Sequence, residues 1–71
     1  MSAPERLIYM ANQIATFFAS QPEGAQGVAD HIRAYWDPQM RDEILAWRRT
    51  GGAGLHPLAA EAVDLLAAKA G

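Results

Sequence analysis

Three interruptions, Ser20-Gln21-Pro22-Glu23-Gly24, Asp37-Pro38 and Thr50-Gly51-Gly52-Ala53-Gly54, divide the chain into four stretches, and apolar residues recur at helical spacing in each of them. Pro22 pushes Gln21 out of the helical region and Gly24 tolerates positive φ, so the first interruption is turn chemistry. At the second, Asp is a good N-cap and Pro is pre-set for a first helical position, so one helix stops there and another starts. At the third, each glycine inside a helix costs roughly 1 kcal/mol relative to Ala, which makes the segment a hinge or C-cap loop until Pro57 restarts a helix.

Within the first stretch, Ser2 and Glu5 form a capping box and Pro4 sits in the first turn. Leu7, Met10, Ile14 and Phe17/Phe18 follow at helical spacing, predicting a helix over about residues 3–20. The second helix carries Val28, Ile32 and Tyr35/Trp36, and the third turns Met40, Ile44 and Trp47 inward. Leu58, Ala62, Leu65 and Leu66 form the apolar face of a fourth helix over about residues 57–69. No run alternates with period two, so no sheet is expected. The pattern defines an all-α fold, a small bundle of about four short helices in one domain spanning residues 1–71.

With 71 residues, such a core rarely supplies more than about 3–5 kcal/mol without a staple. No cysteine is present, so neither a disulfide, a thiolate metal centre nor iron–sulfur ligation is open to this chain. A partner protein is the remaining source of support. Six basic against eight acidic residues leave a net charge of −2 and no basic cluster, which argues against nucleic acid or a membrane surface as partner. The opening MSAPERLIYM lacks a signal-peptide stretch, and nowhere do ~18 apolar residues run together. A soluble, cytoplasmic protein is expected.

Catalytic residues are not expected either. The two histidines, His31 and His56, form no i,i+4 ligand pair, and the remaining carboxylates are scattered. The only serines are Ser2 and Ser20, and the first is better explained as a cap, so no Ser-His-Asp arrangement can be built. Residues 51–54 follow a helix rather than a strand and lack the Lys-Ser/Thr of a phosphate loop, which makes them helix punctuation. No cofactor or metal site is assigned.

The aromatic load is more informative: Tyr9, Phe17, Phe18, Tyr35, Trp36 and Trp47 can each bury about 150–250 Å². Adjacent helical residues point about 100° apart, so Phe17-Phe18 and Tyr35-Trp36 cannot both face one narrow stripe. One member of each pair is a candidate partner contact. Arg33 and Arg41 bracket Tyr35-Trp36, either as recognition residues or, for Arg41, as a surface pair with Asp37. Asn12 and Gln13 interrupt an apolar stretch; they are solvated, or they bond a partner's backbone, since an unpaired buried amide costs about 1–3 kcal/mol.

Three blocks carry a family resemblance: YMANQIATFF (residues 9–18), GVADHIRAYWDPQMR (27–41) and the GG-x-GL-x-PL segment (51–58). In this order they resemble the delta subunit of NAD-dependent, molybdenum-containing formate dehydrogenases. The resemblance implies a complex whose catalytic (alpha) subunit carries molybdenum bis(pterin guanine dinucleotide) and iron–sulfur clusters, with FMN and NAD on further subunits. It implies for this chain a non-catalytic accessory role in assembly, stability or activity. Tyr9, Asn12, Gln13, His31, Tyr35, Trp36, Arg41 and Trp47 match the blocks and suit recognition, so they are the candidate partner contacts. Two alternatives stand beside this: a transient chaperone for cofactor insertion, and a free-standing helical regulator whose one basic hint is Arg48-Arg49.

Overall fold

Each interruption becomes a helix boundary in the computed structural model, which describes residues 3–70. Four helices lie among the described residues, with no strand: α1 (Ala3–Phe18), α2 (Gly24–Tyr35), α3 (Pro38–Arg49) and α4 (Pro57–Ala70). The Ser2–Glu5 capping box falls partly outside the described residues. Helix α1 ends two residues before the expected point. One further helical bond, from the Ala19 N–H to the Ala15 carbonyl, is followed by a turn in which the Gln21 N–H donates to Phe18. Gly24 has φ +55°, the positive value that the turn requires. Asp37 caps α3 as its residue type suggests, its side chain accepting from the Met40 N–H at 2.9 Å with Pro38 in the first turn.

The core is built from smaller residues than apolar bulk alone suggests. In α1 the fully buried stripe is Leu7-Ala11-Ala15, while Met10, Ile14 and Phe18 are half-buried around it. Ala25, Val28, Ala29, Ile32 and Trp36 complete the inner face of α2, Ile44 that of α3, and Ala59, Ala62, Val63 and Leu66 that of α4. Leu58 and Leu65, expected on the inward face of α4, pack at its margin instead. The physical reason is helix spacing: alanine lets backbones approach closely, so the positions of closest approach go to small side chains and the large ones fill the edges. Helices α2 and α4 make the most extensive contact, with α1 against α2 and α3 against both α4 and α1.

Gly27 illustrates the same packing. A Cβ placed there would lie 2.5 Å from Phe18 Cδ1 and 2.9 Å from Glu23 Cβ, so the Phe18 ring rests directly on the α2 backbone.

The segment after α3 is a tied C-cap loop rather than a free hinge. The Gly51 N–H donates to the Arg48 carbonyl and the Gly52 N–H to Trp47, the paired bonds of a Schellman motif, and Gly51, Gly52 and Gly54 all have positive φ. Trp47 Nε1 donates to the Ala53 carbonyl at 2.8 Å. Asn12, from the middle of α1, donates from Nδ2 to the Gly54 carbonyl at 2.9 Å and accepts the His56 N–H on Oδ1 at 2.8 Å. His56 caps α4 itself, its Nδ1 accepting from the Leu58 N–H at 3.0 Å. An imidazole nitrogen thus serves where Ser or Asp would be the commoner cap. Across the loop's base Arg48 reaches Asp64 on α4 through a bidentate contact at 3.0 and 3.1 Å.

Candidate functional site

Helical spacing places Tyr9, Gln13 and Phe17 on one outer row of α1, at i, i+4 and i+8, and His31 and Tyr35 on one row of α2, at i and i+4. The fold sets these rows side by side. Gln13 Nε2 donates to Tyr9 Oη at 2.9 Å. The His31 and Tyr35 rings pack with centroids 4.7 Å apart and tilted by 40°. At the end of the α1 row, Phe17 meets the neighbouring Phe18 edge to face, centroids 5.0 Å apart.

Two adjoining hollows run along the seam. One, of about 380 Å³, is lined by Gln13, Ile14, Phe17, Phe18 and His31. The other, of about 510 Å³, shares Phe17, Phe18 and His31 and continues past Ala34 to Tyr35. Phe17 and His31 therefore sit at the centre of a continuous groove. Tyr9, Phe17 and Tyr35 are 56, 62 and 76% exposed, and they are the large hydrophobic side chains that the described residues leave in solvent. Isolated exposed apolar residues are ordinary, but a contiguous apolar patch with a polar rim is the usual mark of an interaction surface.

Asp30 lies at the groove's edge. Its carboxyl is held below the usual carboxylate value by the hydrogen bond from Gln26 first and then by the Arg33 guanidinium, at 2.8 and 3.0 Å. Negative charge therefore persists at that rim into mildly acidic solution.

The expected contact residues divide between this face and the interior. Tyr9, Gln13, His31 and Tyr35 line or flank the groove. Trp36 lies in the core at 5% exposure, inward of Tyr35 as the angular offset of neighbouring helical residues demands. Asn12 is half-buried, and both ends of its amide are occupied by the α3–α4 loop. Trp47 is half-buried and closes that loop, and Arg41 donates from Nη1 to the Arg33 carbonyl at 3.3 Å rather than pairing with Asp37. Phe17, central to the groove, belongs with the candidates; its i+8 spacing from Tyr9 is the signal that finds it.

Among the described residues no group of three or more His, Asp or Glu side chains could hold a metal, and the chain has no cysteine for an iron–sulfur cluster. The residues present do not fit such a group. No described helix is long and apolar enough to cross a membrane.

Fold and surface together define a small four-helix protein with an exposed aromatic face on α1 and α2. Residues 6–63 match the family described as the NADH-dependent formate dehydrogenase delta subunit, FdsD, and the chain belongs to that family. Comparison with curated proteins and with solved structures gives no match.

Proposed function

We propose that this chain is a non-catalytic accessory subunit that docks on the catalytic subunit of a cytoplasmic, NAD-dependent molybdenum formate dehydrogenase through the α1–α2 aromatic face. The observation that carries the reading is the gathering of Tyr9, Phe17 and Tyr35, all largely exposed, onto one face of two adjacent helices. Burying rings of this size is the largest single gain available to a chain with so small a core, and Tyr is among the residue types that dominate binding hot spots. Membership in the delta-subunit family supports a formate dehydrogenase complex as the setting of that docking. Molybdenum pterin, iron–sulfur clusters, FMN and NAD then belong to the other subunits, and this chain's contribution is to the assembly, stability or activity of the enzyme that holds them.

The test is co-purification from a host expressing all subunits, with the wild-type chain and a Tyr9→Ser, Phe17→Ser, Tyr35→Ser triple variant. Wild type is expected at one copy per catalytic subunit, with the variant folded by circular dichroism yet lost from the complex. A folded variant that remains at full stoichiometry refutes the docking face. A wild-type chain absent from the mature enzyme refutes a resident subunit and favours a transient cofactor-insertion chaperone.

A further inference from the structure

On another side of the molecule, three of the six basic residues converge. Arg33, Arg41 and Lys69 line a cavity of about 310 Å³ formed where the C-terminal turns of α2 and α4 meet the start of α3. Pro38, Leu45 and Leu66 give it apolar walls, and Asp42 is the acid that lines it. Cations in the last turns of α2 and α4 complement those helix dipoles, which accounts for Arg33 and Lys69 as surface features. It does not account for Arg41, which sits close to the N-terminus of α3, where the dipole disfavours positive charge.

Nor does it account for the state of Arg33. Its Nη1 is anchored to Asp30 Oδ1 at 3.0 Å, while its Nη2 is buried and has no hydrogen-bond partner among the described residues. A buried guanidinium nitrogen without an acceptor is costly. Arg41 is drawn alongside by the bond from its Nη1 to the Arg33 carbonyl. Asp30 thus holds one fork of Arg33 in place and leaves the other short of an acceptor.

We propose that this cleft binds a small amphipathic carboxylate. The Arg33 guanidinium turns about its Asp30 anchor to bring Nη2, covered in the free chain, to the head group, with Arg41 and Lys69 beside it, and a short apolar body lies against Leu45, Leu66 and Pro38. A planar carboxylate matches the guanidinium fork, whereas a compact, strongly hydrated phosphate would leave the apolar walls unused. Asp42 tunes the site against dianions by like-charge repulsion.

The proposal is tested on the full chain by ¹H–¹⁵N correlation spectra, titrating hexanoate, acetate and inorganic phosphate at matched ionic strength. Hexanoate is expected to give saturable shifts confined to Arg33, Arg41, Leu45, Leu66 and Lys69. Its affinity should exceed that of acetate by about tenfold if two of the four added methylenes are buried and by up to about 250-fold if all four are, at up to about fourfold for each methylene. Arg33→Gln and Arg41→Gln should each weaken hexanoate binding about tenfold, the loss of a charge-assisted hydrogen bond, while Arg41→Lys should retain part of it. Equal responses to all three anions, or none, would overturn the proposal. The comparison of hexanoate with acetate on the unmodified chain needs no variant and stands even where an arginine substitution unfolds the protein. Lys69→Gln, at an exposed position, adds a variant outside the core and should weaken hexanoate severalfold.

Discussion

Asn12 Oδ1 accepts the backbone N–H of His56 at 2.8 Å across 44 residues of sequence, while the same amide's nitrogen holds the Gly54 carbonyl. One side chain from the middle of α1 thereby satisfies two loop backbone groups that no helix or sheet supplies a partner for. Removing it should cost more than its partial exposure suggests. Asn12→Leu is expected to destabilise the chain by about 1–3 kcal/mol, because the half-buried His56 N–H is left unpaired. The urea midpoint measures this, and an unchanged midpoint contradicts it.

Gly27 should be nearly irreplaceable despite its ordinary helical backbone. Alanine is a better helix former, yet its Cβ would fall within 2.6 Å of two Phe18 ring carbons. Gly27→Ala is therefore expected to lower stability by about 1–3 kcal/mol through overpacking, and Gly27→Ala combined with Phe18→Leu should recover part of the loss. A more stable single variant would show that the ring moves aside at no cost.

The aromatic face is expected to separate binding from folding. Phe17→Ser and Tyr35→Ser remove largely exposed rings, so each should change unfolding free energy by no more than about 0.5 kcal/mol. Each should also weaken capture by the catalytic subunit about tenfold or more, as truncation of a hot-spot residue does. Calorimetry of the free chain and a binding titration read the two effects independently.

Asp30 makes the pH dependence of stability specific in sign. Its folded-state carboxyl titrates below 3.8, held down by Gln26 and then Arg33, so its contribution is complete above that value and is lost as pH falls through the lower folded one. The stability difference between wild type and Asp30→Asn should accordingly shrink as pH drops below 3.8. A difference that grows on acidification would reverse the assignment.

Much of this was legible in the residues. Pro22, Asp37-Pro38 and Pro57 act through the local backbone, so the helix boundaries followed from chain chemistry alone, and the residue blocks of the formate dehydrogenase delta subunit family were readable as text. What stayed hidden depends on distance through space. Hydropathy weighs side-chain size, so it favoured Met10 and Phe17 over Ala11 and Ala15, which are fully buried. Likewise a polar Asn in an apolar helix signals that some partner exists without indicating a loop more than 40 residues away. The aromatic row was half visible: the angular argument separated Tyr35 from Trp36, but only the juxtaposition of α1 and α2 joined Tyr9 and Phe17 to His31.

The Asn12 clasp also orders events in time. Each helix can form from contacts within its own stretch, whereas the clasp requires the chain to close a loop of more than half its length. Such a contact is entropically late, forming after the transition state when helices have already condensed. Asn12→Leu should then speed unfolding and leave the folding rate almost untouched, a pattern visible in the two arms of a chevron plot. The clasp in that case acts as a latch on lifetime: it sets how long the folded chain persists before it opens, rather than how quickly it is made.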